Sequence, residues 1–335
     1  MRNLKRALSL ALAAIMLVGM MVVSASAASY NNLTDKDEIV NKDAVSMLVS
    51  LGIIEGKPDG SYGPTENVDR AQMAKMLSVI MNKGVDNSAL YQSVNSGLVD
   101  VNTNWAKGHI NYCYTTGIIA GRGNGKFDPS ATVTALEAAK MLLVAVGYDP
   151  KIEGFEGADW AINVSVRADE QGIFEGFTKD LSAPLNRDDA ALLIYNALDV
   201  EMIQSYTTNN YPIVYSDHRT ILSDKYGVIK VQGVVVANEW ASLASDDGDA
   251  ALKEGKTTIY NGEGIFSTTG NTTVSKEDAS LKTQTFNVST PVDMLGKTVN
   301  LYIKKTTILA DSTVYGDPVV SDVNTVVTTG ETVLY

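Results

Sequence analysis

Two arginines stand where helix electrostatics disfavour them. Three segments read Asp69-Arg70-Ala71-Gln72, Thr134-Ala135-Leu136-Glu137 and Asn186-Arg187-Asp188-Asp189. Each opens on a residue that caps a helix start well, and each has Gln, Glu or Asp three places on. The first two fit a capping box, and the third is a variant of it. Arg70 and Arg187 therefore fall on the first helical position. A cation there is opposed by the helix dipole, by a few tenths to about 1 kcal/mol. Helix stability alone favours an acid or a proline, so the arginines need another reason. One reason is an anion. Free N–H groups at a helix start attract one, and a guanidinium adds a planar fork for a carboxylate or phosphate. The other reason is a bridge to a carboxylate of an adjoining segment. Spacing alone leaves both open. Ala135 denies the middle segment the fork.

The elements that must position these residues form an internal repeat. Gly52-Ile53-Ile54-Glu55-Gly56 matches Gly117-Ile118-Ile119-Ala120-Gly121, always 65 positions on. Gly60, Tyr62 and Pro64 match Gly125, Phe127 and Pro129 in the same register. So do Val68 and Val133, Asp35 and Asp100, and Ala74-Lys75-Met76-Leu77 and Ala139-Lys140-Met141-Leu142. A more degenerate third copy holds Asp159-Trp160-Ala161, Gly172-Ile173-Phe174-Glu175-Gly176 and Leu185 to Tyr195. Each copy reads as helix, loop, helix. Ala44, Leu48 and Leu51 share one helical face and run into Gly52, a helix stop. The loop from Gly56 to Glu66 is rich in turn residues. From about Asp69, Met73, Met76, Leu77, Ile80 and Met81 recur at spacings of three and four. Two short helices cannot bury that face alone, whereas stacked copies can close around a shared core.

The combined motif resembles the S-layer homology family. That family's repeat runs as an apolar-x-Asp start, a Trp-Ala pair, a Gly-Ile-Ile-x-Gly turn, a Gly-x-Phe-x-Pro loop and an Ile-Thr-Arg-Ala-Glu helix start. The second copy shows Val99-Asp100, Trp105-Ala106, Gly117 to Gly121, Gly125-Lys126-Phe127-Asp128-Pro129 and Val133 to Glu137. The first copy shows Asp35, Gly52 to Gly56, Gly60 to Pro64 and Val68 to Gln72. The resemblance covers about residues 30 to 200. It implies a mostly α, pseudo-threefold arrangement of three helix pairs. It also implies non-covalent binding of cell-wall polysaccharide in grooves between repeats, typically a secondary wall polymer with a pyruvylated sugar. Carried over, the helix-start arginine that holds the acidic group is Arg70 and Arg187. Asp35 and Asp100 match the family's early Asp. Trp105 and Trp160 match its Trp, which can stack on a sugar face or pack in a core. The first copy has Val40 in place of the Trp, and the second lacks the arginine, so one or two grooves are expected to work rather than three.

The predicted organisation is multidomain. Residues 1–28 form a signal peptide: Arg2, Lys5 and Arg6, an apolar run from Ala7 to about Val23, then Ala25-Ser26-Ala27-Ala28. Residues 29–202 hold three repeats, about 30–85, 95–149 and 155–202. From residue 203 to 335 the pattern turns β-branched and threonine-rich, which predicts an antiparallel all-β domain of unassigned role, either whole or cut short. Asn261-Gly262 there is a hairpin signal. The predicted location is the cell surface or wall.

Charge and composition narrow the chemistry. The net charge is -12, and losing the three signal-peptide cations takes it to -15. An acidic chain is a poor partner for nucleic acid, which needs a concentrated basic face. An anionic polymer must be held by a few placed cations. Cys113 is the one cysteine, so no internal disulfide forms, and its apolar setting predicts a core residue. His109 and His218 lack metal-ligand spacing, and no cofactor motif is present. Gly121 to Lys126 lacks the spacing of a phosphate loop, with Phe127 where Ser or Thr belongs. Asp246-Asp247-Gly248-Asp249 lacks the EF-hand register. The expectation is a non-enzymatic wall anchor. An S-layer lattice subunit, and an enzyme with its chemistry in or beyond the β region, are the alternatives. Self-assembly is a further expected partner mode.

Overall fold

The computed structural model describes residues 30–243, 251–262, 282–304 and 312–321. The expected signal segment, the Asp246–Asp249 loop and the end of the chain lie outside them. Six described α-helices come first: α1 Lys42–Ser50, α2 Arg70–Met81, α3 Lys107–Thr115, α4 Ala135–Val146, α5 Trp160–Glu170 and α6 Arg187–Leu198. No described helix is long and apolar enough to cross a membrane.

The second helix of each pair starts where its capping residue predicts. Asp69 accepts from the Gln72 N–H while the Gln72 side chain accepts from the Asp69 N–H, and Thr134 and Glu137 repeat this exchange. Asn186 accepts from the Asp189 N–H. The helices close into a ring, because the second helix of each pair packs on the first helix of the next. Thus α2 lies on α3, α4 on α5 and α6 on α1. Asp188, at the start of α6, accepts the N–H groups of Val40 and Asn41 and so ties the chain entering α1 to the far end of the sequence.

At the centre, three backbone hydrogen bonds run head to tail. The Val68 N–H donates to Leu185 O (2.8 Å), Leu185 to Val133 O (2.8 Å) and Val133 back to Val68 O (3.0 Å). The three residues precede the three capped helix starts, and their side chains are buried. Leu48, Met73, Leu77, Ile110, Leu142 and Phe127 fill the surrounding core. Cys113 is fully buried with its thiol directed at Ala74 O, and burial pushes that thiol's pKa up.

Strands follow the helices. β1 Ile203–Tyr206 and β2 Pro212–Val214 pair as a hairpin. A five-stranded antiparallel sheet has the order β5-β4-β3-β6-β7, with β3 Val228–Ala237, β4 Thr257–Tyr260, β5 Thr283–Phe286, β6 Thr298–Lys304 and β7 Val314–Val320. Ile229, Val231, Val235, Ile259, Phe286, Val299, Leu301 and Ile303 form a core on one of its faces. Val228 and Tyr302 join the helical core instead. The sheet also touches the helices through the Tyr195 and Tyr302 hydroxyls (2.8 Å), Lys230 and Asp199 (2.9 Å), and Ser46 and Asp317 (3.2 Å). Gly316, with φ +67°, lies so close to α1 that a Cβ would sit 3.2 Å from Met47 backbone.

The residues that follow Asn261-Gly262, where the expected hairpin would continue, lie outside the described ones. Among the described residues Tyr260 pairs with Thr283, and Phe286 enters the core beside Ile259.

Candidate functional site

The helix-start arginines do not project freely into solvent. Arg70 is 4% exposed. Its Nε donates to Phe127 O (2.8 Å) and its Nη2 to Ala120 O (2.9 Å). Its guanidinium lies 4.4 Å from the centre of the Phe127 ring. Arg187 repeats this on another copy: Nε donates to Tyr62 O (2.8 Å), Nη2 to Glu55 O (3.3 Å), and the group lies 4.7 Å from the Tyr62 ring centre. Each arginine thus clamps the turn and loop of a neighbouring copy by their carbonyls. Spacing left an anion or a carboxylate bridge open; the partners found are mainly carbonyls. Arg70 approaches a carboxylate only at 4.0 Å, from Nη1 to Glu137 Oε1. Arg187 makes no ion pair among the described residues.

Carbonyls accept hydrogen bonds without cancelling a unit charge, and both arginines edge a groove. The first groove, about 430 Å³, is lined by Arg70, the Ile118–Arg122 turn, Glu137, Lys140, Met141, Phe155, Glu156 and Trp160. The second, about 210 Å³, is lined by Arg187, the Ile53–Lys57 turn, Tyr62, Gln72, Lys75, Met76 and Trp105. The 65-residue offset maps Lys57, Gln72, Lys75 and Met76 onto Arg122, Glu137, Lys140 and Met141. Arg187 and Trp105 stand in the second groove as Arg70 and Trp160 stand in the first. Each groove therefore takes parts from three copies: a turn and second helix from one, a tryptophan from the next, and an arginine from the third.

Trp105 is 58% exposed and Trp160 is half-buried. Lys140 Nζ lies 5.5 Å from the centre of the Trp160 ring, within cation–π range. Lys75 Nζ is 3.9 Å from Glu55, a loose exposed pair. The equivalent third position is stripped of this chemistry. It has Ala135 for the arginine, Leu192 for the lysine and Val40 for the tryptophan.

Asp35 and Asp100 stand behind the grooves rather than among their lining residues. Asp35 accepts from the Tyr62 and Gly63 N–H groups, each at 2.7 Å. Asp100 accepts from Phe127 (3.0 Å) and Asp128 (2.8 Å). These carboxylates fix the loops that carry the aromatic ring under each arginine. Burial raises their pKa values, but the backbone N–H donors outweigh it and hold both below the usual carboxylate range. Sequence reasoning missed Lys75, Lys140, Lys57 and Arg122. The two lysines left a signal, an identical residue in both copies on the polar side of an otherwise apolar helix pattern.

Two outcomes follow from these contacts. Arg70→Ala leaves the Ala120 and Phe127 carbonyls without their donor and opens space over the ring. Urea unfolding should show a loss of about 2–4 kcal/mol. Because Asp35 and Asp100 have depressed pKa values when folded, they stabilise the fold above the unfolded carboxylate pKa of about 3.9. That contribution disappears as pH falls through the folded values. The Asp35→Asn/Asp100→Asn variant should melt below wild type at pH 7, and the gap should narrow by pH 3.

The S-layer homology domain family model matches residues 32–74 and 99–139. A cell surface protein of Thermoanaerobacter kivui is 28% identical over 270 residues, which is 80% of this chain and 32% of that protein. The middle cell wall protein of Brevibacillus brevis is 27% identical over 72% of this chain and 22% of its own length. An S-layer protein of Bacillus licheniformis is 34% identical over 34% of this chain and 12% of its own. The chain thus spans about a third or less of the length of these relatives. It is a secreted cell-surface protein that carries S-layer homology at two segments.

Proposed function

We propose that three tandem S-layer homology repeats hold this protein to the cell wall without a covalent link, and that two of the three grooves between them bind acidic wall polysaccharide. The observation that carries this reading is the residue-by-residue equivalence of the two grooves. An arginine, a helix lysine, a turn cation and a tryptophan recur together in both, although they come from three different copies. A core has no need to repeat that set at its rim.

The chemistry suits an acidic sugar. The carbonyl clamp fixes each arginine, so little of its conformational entropy remains to be lost on binding. Its charge, with the lysine, attracts a carboxylate such as that of a pyruvate ketal. The tryptophan offers an apolar face for a pyranose ring. The rest of the chain is acidic, which limits binding of anionic polymer outside the grooves. The third position lacks all three side chains and is assigned no part in binding.

The test uses the full secreted chain and purified cell walls. Lys75→Gln and Lys140→Gln each remove a groove charge while keeping side-chain length. The double variant should lose at least about tenfold in wall affinity, equivalent to about 1.4 kcal/mol. Its thermal midpoint should change little, since neither lysine is deeply buried. Removing the acidic substituent from the walls should abolish the difference between wild type and variant. Equal affinity of both proteins for intact walls would contradict the reading.

A further inference from the structure

The two grooves differ at one position that faces their cations. Residue three of the second helix is Glu137 in the first groove and Gln72 in the second. Both serve the capping box through one oxygen. Glu137 Oε2 accepts from the Thr134 N–H at 3.2 Å, and Gln72 Oε1 accepts from the Asp69 N–H at 2.9 Å. The second atom of each terminal group has a different character. In Glu137 it is Oε1, which lies 2.5 Å from Arg122 Nη2 and 4.0 Å from Arg70 Nη1. In Gln72 it is the amide nitrogen, a donor.

We propose that the grooves are unequal acid-binding sites, and that this residue sets the order: Gln72 leaves the groove of Arg187 open to an acidic ligand, while Glu137 fills the groove of Arg70 with the chain's own carboxylate. The inference rests on the reading of the grooves as acid-binding sites. Glu137 stands between the two guanidinium groups, where a ligand carboxylate would gain most. A ligand must displace it from Arg122 or accept a like charge a few ångströms away. In the second groove the same place carries a neutral amide donor, and Arg187 faces no carboxylate partner among the described residues. Lining charge agrees. Arg70, Arg122 and Lys140 face Glu137 and Glu156, whereas Glu55 is the one acid lining the second groove beside Arg187 and Lys75, and Lys57 there pairs with Glu66 outside the lining.

The difference is open to a reciprocal exchange. Gln and Glu both satisfy a capping box, so Gln72→Glu and Glu137→Gln should keep the fold. Unfolding midpoints of both variants check this. The probe is a methyl glycoside bearing a pyruvate ketal, titrated into the full secreted chain by calorimetry. Wild type should show one site at least about tenfold tighter than the other, and Lys75→Gln should weaken the tighter one. Gln72→Glu should weaken that site about tenfold, and Glu137→Gln should tighten the weaker site by a similar factor. Two equal wild-type sites, or a tighter site that responds to Lys140→Gln, would overturn the ordering. So would exchanges that leave both affinities unchanged while the lysine variants still weaken them, although the grooves would then remain acid-binding sites. If the wild type fails to bind the probe, or neither lysine variant weakens binding, the groove reading falls along with the ordering.

Discussion

Three backbone hydrogen bonds between Val68, Leu185 and Val133 close on one another and set the geometry of the helical body. Each bond joins residues far apart in sequence, and none forms within a single helix pair. Individually each contributes about 0.5–1.5 kcal/mol. Their importance lies in register. They bring three helix starts to one axis, and each start then faces the loop of a neighbouring copy. That placement lets Arg70 reach Ala120 and Phe127, and lets Arg187 reach Glu55 and Tyr62. The same ring leaves a cleft beside each clamp.

The clamp reconciles a cation with the wrong end of a helix dipole. The guanidinium points away from its own helix and toward carbonyl oxygens of another copy, which carry partial negative charge. An aromatic ring beneath it adds a favourable face. Asp35 and Asp100 hold the loops bearing those rings. A chain of contacts thus runs from an early aspartate, through a loop and a ring, to an arginine at the edge of a groove. The arginines brace neighbouring copies and also charge the groove. Since the clamp uses Nε and Nη2, and the turn cations Lys57 and Arg122 pair with Glu66 and Glu137, the helix lysines are the main side chains left to meet a ligand, although Lys140 Nζ also donates to Phe155 O. Screening at physiological salt acts over about 8 Å, so cations on one groove wall act together while distant surface acids contribute little.

Much of this was legible in the sequence. The 65-residue register exposed the first two helix-loop-helix copies, and capping residues marked the starts of α2, α4 and α6 to the residue. The placement of Arg70 and Arg187 at first helical positions was visible as an electrostatic anomaly. Their partners were not, because carbonyls leave no trace in side-chain identity. Asp35 and Asp100 look like ligand residues in a motif, yet their contacts are with loop backbone, which only coordinates show. Lys75 and Lys140 passed as part of a repeated helix. Their meaning came from a groove assembled by three copies, a relation that no local pattern encodes. In the β region, the β-branched, threonine-rich composition pointed to antiparallel strands but not to their partners, such as the pairing of Tyr260 with Thr283.

A crystal structure of the secreted chain with a sugar bearing a pyruvate ketal tests groove binding directly. Electron density for the carboxylate should lie within hydrogen-bond or ion-pair distance of Lys75 or Arg187, with the sugar ring against Trp105. A sugar bound elsewhere, with both grooves empty at saturating ligand, would contradict it.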